Sequence, residues 1–201
     1  MSFHSLFTVL SFFIFPSLAL SQSNWELQKN KDGIKIWTAD TPDSDFKTFK
    51  AEMIVDAKLE NVKNLLVDLD AITTYYVGIE NVTDIERPHD NEAVYYLEFD
   101  FPWPVSKRRA RVKSKAVPVE IGSYEITTTL VPPVNEKKGF IPVQAMSSMW
   151  IIINAGNGKT FVKHIAHMDP SGSVPAWIAN SQVTETPFKS LQQLRSILEK
   201  E

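Results

Sequence analysis

Residues 167–181 read HMDPSGSVPAWIANS, and the fold turns on how this run is parsed. An alternating strand meets Asp169-Pro170, which ends a β ladder because proline donates no N–H. Gly172 lets the chain turn back, and Pro175 is predicted to start a helix at its first turn, where the missing N–H costs nothing. The helix predicted from about Val174 to Leu198 repeats Val174, Trp177, Ile178, Ser181, Phe188, Leu191, Leu194 and Leu198 at helical spacings, one long stripe. Its middle, NSQVTET (180–186), is less apolar than its ends, a pattern that suits a helix covering a partly polar cavity. Pro187 is expected to kink this helix or divide it into two pieces. The run thus reads as the hinge of a lid that aims Trp177 and Ile178 across the mouth of whatever precedes it.

What precedes it is mostly strand. DGIKIWTA (32–39) opens with a turn and continues extended. FKTFKAEMIV (46–55) puts Phe49, Ala51, Met53 and Val55 on one face, a half-buried antiparallel strand. AKLENVKNLLVDLDAITTYY (57–76) switches to helical period through Leu59, Val62, Leu65, Leu66 and Leu69. AVYYLEFDF (93–101) then alternates Tyr95, Leu97, Phe99 and Phe101 against Tyr96, Glu98 and Asp100, and Pro102-Trp103-Pro104 breaks the ladder. Strands follow at 108–117, at 123–131 with Tyr124, Ile126 and Leu130 on one face, at 147–154 and at 160–168. Consecutive antiparallel strands with few helices give an α+β class, one curved sheet wrapped around the final helix.

The totals agree with a single domain. The 201 residues are 43% hydrophobic, 11% aromatic and 22% charged, enough to bury a sizeable core. A net charge of −3 with interspersed signs argues against nucleic acid as a partner. The absence of cysteine removes disulfides, thiolate catalysis and Cys-ligated zinc. Residues 1–21, with the apolar run Leu6–Leu20 and the small residues of Ala19-Leu20-Ser21, read as a secretory signal peptide that lacks a basic n-region. The run is short against the roughly 20 residues of a membrane span. Residues 22–201 are then the folded domain of a periplasmic or secreted monomer.

Charged residues on apolar faces carry the functional information. In SKRRARVKSKAV, period two places Arg109, Arg111, Lys113 and Lys115 on a solvated face and Arg108 beside Ala110, Val112, Ser114 and Ala116. Arg108 must bend back to water, pair with a buried carboxylate, or meet a polar group of something bound. His164 and His167 fall on opposite faces of their strand, which disfavours a metal pair. His164 sits on the apolar face with Val162 and Ala166. No nucleophile triad, phosphate loop or zinc motif is present, so neither a metal nor another cofactor is expected. In the loop PPVNEKKGFIPVQAM (132–146), Phe140, Ile141 and Val143 must either fold onto the domain or touch a membrane when the protein docks.

DPSGSVPAWIANS, together with PWPVSKR and WELQKNKDGIKIW, resembles the START domain, the StAR-related lipid-transfer module of the helix-grip, Bet v 1-like superfamily. The resemblance spans nearly all of the mature chain; with the leader reading, the chain is expected to be an exported, bacterial member. It implies a curved antiparallel sheet gripping a long C-terminal helix, with a hydrophobic tunnel for one lipid between them. It also implies non-enzymatic binding or transport, and puts Arg108 in the cavity beside an acidic partner. The expected ligand-binding set is Arg108, Tyr95, Leu97, Phe99, Val112, Tyr124, Ile126, His164, Trp177 and Ser181. The expected gate is Asp169, Pro170, Gly172, Pro175, Phe140 and Ile141. Departures from the family pattern are Tyr75 for Trp, Arg109 for Asp, Ser171 for Gly and Pro142 for Arg. The alternatives are a cyclase or aromatase using His164 with Arg108, or an interaction module with a collapsed cavity.

Overall fold

The computed structural model describes residues 24–101, 105–172 and 174–200. The leader reading of residues 1–21 and the break at Pro102-Trp103-Pro104 lie outside them. Strands β1 (Glu26–Lys31) and β2 (Ile34–Thr41) form a hairpin whose turn, Asp32-Gly33, has both φ angles positive, at 53° and 70°. Such a turn matches the strand twist, and Asp-Gly suits it. Then come β3 (Ser44–Val55), helices α1 (Leu59–Val67) and α2 (Ile72–Tyr75), β4 (Ile79–His89), β5 (Glu92–Phe99), β6 (Arg108–Pro118) and β7 (Ser123–Leu130). A two-residue β8 (Ile141–Pro142), β9 (Ala145–Gly156), β10 (Lys159–Asp169), α3 (Ala176–Gln182) and α4 (Glu185–Leu198) complete the chain. The ten-stranded sheet runs β1-β2-β3-β10-β9-β7-β6-β5-β4, antiparallel throughout, with β8 parallel to the start of β6.

The core lies between the sheet's concave face and the helices. Phe49, Ala51, Met53 and Val55 of β3 are buried as their alternation requires, and face Phe188, Leu191, Leu194 and Leu198 of α4. Ser190 fixes α4 lengthwise: its hydroxyl accepts from the Val77 amide at 3.0 Å and donates to the Thr186 carbonyl at 2.9 Å. Arg195 reaches across to the Asp32 carbonyl and ties α4 to the β1–β2 turn.

Three expectations need correction. The helix over 57–76 is two helices, because the Asp68 carboxylate accepts from the Asp70 amide at 3.0 Å and ends the first. The second concerns the apolar stripe: the C-terminal helix divides, as Pro187 was expected to make it, because that residue in the first turn of α4 has no N–H for the Val183 carbonyl. The apolar stripe therefore does not continue through the break. Phe188 to Leu198 are buried, but α3 buries no residue and Trp177 is 74% exposed. Pro175 is the residue that caps α3, not its first helical residue.

The third correction concerns the basic face of β6. Arg109 is not solvated. It is buried on the outer face, with its NH2 2.6 Å from the Asp84 carboxylate and its NH1 2.6 Å from Asn135 Oδ1. Its guanidinium carbon stacks 3.5 Å over the Tyr96 ring. Glu98, fully buried, holds Lys137 at 2.7 Å and lies 3.2 Å from Arg109 Nε, an ion pair without a well-aligned hydrogen bond. The segment 131–140 covers this face, its Val134 amide bonding the Tyr96 hydroxyl at 2.9 Å. Removing Glu98 leaves the buried Nε side of Arg109 without a carboxylate, while Asp84 still holds its NH2 and the exposed Lys137 turns to water. Glu98→Ala is expected to lower the unfolding free energy by about 1–3 kcal/mol in urea titrations. A loss below about 1 kcal/mol is the figure for a solvated pair and would contradict the buried network.

Candidate functional site

The concave face is not filled. A cavity of about 480 Å³ lies between β5, β6, β7 and β9 on one side and α1 and α2 on the other. Its inner wall is apolar and buried: Leu66 and Ile72 from the helices and Leu69 from the turn between them, Leu97, Ile126 and Trp150 from the sheet. Exposed Asn64, Arg87, Asp90, Asn91 and Pro118 also border it, which places its mouth between α1 and the β4–β5 and β6–β7 turns. Tyr124 props that rim: its hydroxyl donates to Glu60 of α1 at 3.2 Å, and Lys63 sits 5.2 Å over its ring.

Of the residues expected to bind ligand, Tyr95, Leu97, Tyr124 and Ile126 border the cavity. Val112 and Phe99 are buried outside its wall, Phe99 stacked on Phe101 at 5.8 Å. Trp177 and Ser181 lie on exposed parts of α3 and do not border it. Sequence reasoning missed the wall from α1 and α2, and Ser114, Thr128, Ser148 and Trp150. A readable signal existed for three of these, since each is a small hydroxyl side chain on an otherwise apolar strand face.

Arg108 is 2% exposed but has no carboxylate partner among the described residues and does not border the cavity. Its Nε donates to the Pro170 carbonyl at 2.8 Å, its NH1 to the Ser106 carbonyl, and its NH2 to the Ser171 carbonyl at 3.2 Å. A guanidinium carries five donors in a fixed fork, so it can hold several carbonyls in one geometry. Here it clamps the hinge before α3. Asp169 accepts from the Ser171 amide at 2.9 Å, and the Ser171 hydroxyl donates to the Pro142 carbonyl at 2.8 Å. Ser171 has φ of 57° and Gly172 of 68°. The left-handed region costs a serine roughly 1 kcal/mol, which explains why glycine suits both positions. A Cβ on Gly172 would meet Arg108 NH2 at 3.6 Å and Ile141 Cδ1 at 3.9 Å, so the clamp and β8 close on the hinge. Phe140 and Ile141 are half-buried and Val143 buried, the outcome in which this loop folds onto the domain.

His164 is 1% exposed, stacked on Trp150 with ring centroids 3.7 Å apart and met edge-on by Phe49 at 5.0 Å. Its Nε2 shares a 2.8 Å hydrogen bond with the Ser148 hydroxyl, so it backs the cavity wall without bordering the cavity. Burial pushes its pKa down to about 3. It is neutral at physiological pH and suited to neither charge pairing nor general-base work. Among the described residues, no cluster of three His, Asp or Glu side chains could hold a metal ion.

A depressed histidine costs stability in acid. The unfolded chain binds a proton near pH 6.5 and the folded chain only near 3, so the contribution of His164 is complete above 6.5 and falls below it. His164→Gln keeps a partner for Ser148 and removes the titration. Between pH 6.5 and 5, above most carboxylate transitions, wild-type stability is expected to fall by up to about 1.4 kcal/mol per pH unit relative to the variant. Parallel profiles in urea melts would refute the assignment.

A family model described as START domain matches residues 16–201. An uncharacterized protein of Pseudomonas aeruginosa is 28% identical over 181 residues, 88% of this chain and 88% of its own. The crystal structure of a STAR-related lipid transfer protein from Xanthomonas axonopodis superposes with a TM-score of 0.79 at 28% identity, covering 87% of this chain and 98% of that one. Human StAR-related lipid transfer protein 5 shares the fold, with a TM-score of 0.82 at 16% identity over 90% of this chain and 89% of its own. A curved antiparallel sheet closed by a C-terminal helix, with a family match across nearly the whole chain, has one reading: the protein belongs to the START domain family.

Proposed function

We propose that the protein binds one hydrophobic ligand, a lipid, in the sheet–helix cavity and carries it without chemical change. The observation that carries the reading is the 480 Å³ cavity itself, apolar along its buried wall and open to solvent at a polar rim. Pockets of this size and lining gain affinity from apolar burial and orientation from a few polar groups. The Xanthomonas relative, named for lipid transfer, supports the same choice. The cyclase alternative required His164 and Arg108 as an acid/base pair inside the cavity, and neither borders it. A collapsed interaction module is disfavoured by the open volume.

Exchange needs a moving part, and α3 remains our candidate. It buries no side chain and is held to β3 by Asn180, whose Oδ1 accepts from the Lys47 amide at 3.0 Å and whose Nδ2 donates to the Asp45 carbonyl at 3.1 Å. Weakly packed elements open first. The reading includes export of the chain from the cytoplasm, with Gln22 as mature N-terminus, and transient membrane contact through α3.

Native mass spectrometry of the purified protein is expected to show one lipid per chain. Ala93→Phe, which projects a ring into the cavity, is expected to abolish that species with the circular dichroism unchanged. A wild-type protein that stays empty against total lipid extracts, or a variant that binds equally well, would sink the carrier reading. Asn180→Ala is expected to speed lipid exchange between vesicles several-fold. An unchanged rate would assign the exit to the α1 mouth instead.

A further inference from the structure

The register of four adjacent strands sets Ala93 opposite Ser114, Ser114 opposite Thr128, and Thr128 opposite Ser148. All four border the cavity, so three hydroxyls lie side by side across its floor. The neighbouring rows on the same face are apolar: Ala116, Ile126 and Trp150 on one side, Val112 and Leu130 on the other. Tyr95 stands in the next row, opposite Val112, and also borders the cavity, and His164 bonds Ser148 from behind it. A row of hydroxyls between two greasy rows is a costly thing to keep on a half-buried face unless it meets a partner.

We infer that this stripe selects an uncharged amphiphile, holding its hydroxyl or carbonyl group at the cavity floor; the inference rests on the lipid-carrier reading above. The sign of the selection follows from what surrounds the stripe. Every buried side chain of the wall is uncharged, and the charged lining groups, Lys63, Arg87, Asp90 and Glu92, are half-buried or exposed at the mouth. A carboxylate or phosphate drawn to the floor would lose its water and meet no countercharge, a penalty of several kcal/mol. A neutral hydroxyl loses little there, because serine and threonine hydroxyls both donate and accept.

The test is displacement of a fluorescent acyl probe at pH 7.4 by five competitors: a monoacylglycerol, a fused-ring alcohol such as cholesterol, oleate, hexadecane and a diacylphosphatidylcholine. The monoacylglycerol, the fused-ring alcohol or both are expected to compete at least about tenfold better than oleate or the phosphatidylcholine, the margin of one buried hydrogen bond. Which of the two is stronger identifies the hydrocarbon body. Ser114→Ala with Thr128→Val keeps the shape of the floor and removes two hydroxyls. That double variant is expected to weaken the neutral ligand about tenfold and leave hexadecane unchanged. Preference for oleate or the phosphatidylcholine, or a double variant that binds all five as wild type does, overturns the inference while leaving the carrier reading intact. Failure of every competitor and of the probe removes the carrier reading itself.

Discussion

The constraint on which everything else depends is the width of the sheet. Nine strands side by side, at about 4.8 Å each, span roughly 38 Å. A single helix with its side chains covers about 10 Å. Curvature brings the two ends of the sheet closer, but α4 still packs only over β2 and β3, and α1 and α2 only roof the strands beyond them. The concave face over β5 and β6 is left with no helix packed closely upon it, and that gap opens into the cavity. A cavity in such a fold is therefore the geometric residue of covering a wide sheet with short helices. The wall accepts it because apolar side chains that face a void lose contacts but strand no polar group.

The same constraint explains which parts of the architecture were legible in sequence. Alternation in 46–55 and 93–101, and the change of period at 57, report which side of each residue is apolar, and short antiparallel connections account for neighbours such as β2–β3, β5–β6 and β9–β10, but not for the β3–β10 pairing. Alternation reports nothing about what later covers the outer face. Arg109, Tyr96 and Glu98 sit on the polar side of their strands, as the pattern says, yet they are buried because 131–140 folds back over them. That contact links residues 26 to 39 positions apart, and no local period encodes it. The long loop needed a place for its lysine, and Glu98 needed a second cation.

The C-terminal segment fails for a related reason. The three, four and seven spacings from Val174 to Leu198 describe one face only while the helix is continuous. At Val183-Thr184, one turn before Pro187, the phase is lost, so residues before the break and residues after it need not share a face. Trp177 turns to solvent while Phe188 enters the core. The pre-helix motif was read correctly as a fixed turn, but its purpose lay elsewhere in the chain. Asp169, Pro170, Ser171 and Gly172 present two carbonyls and an open backbone to Arg108 from β6, and Ser171 accepts a left-handed conformation to do so. An arginine on an apolar face looks like a ligand contact when only its strand is known. Three backbone carbonyls satisfy it as completely as a carboxylate would, without a second buried charge.

Keeping charge out of the interior is common to all of these arrangements. Arg108 is neutralised by carbonyl dipoles, Arg109 and Glu98 pair on the outer face, and His164 is buried deeply enough to stay unprotonated. The polar atoms admitted to the cavity wall are hydroxyls. Hydroxyls on a protein interior are tolerated when they find a partner, as Ser148 does in His164. Ser114 and Thr128 border the open volume beside it. A wall built only to be stable would replace Ser114 and Thr128 with alanine and valine, which fit the same backbone and strand face. Their presence in register across three strands is therefore better explained by what the cavity holds than by what the fold needs.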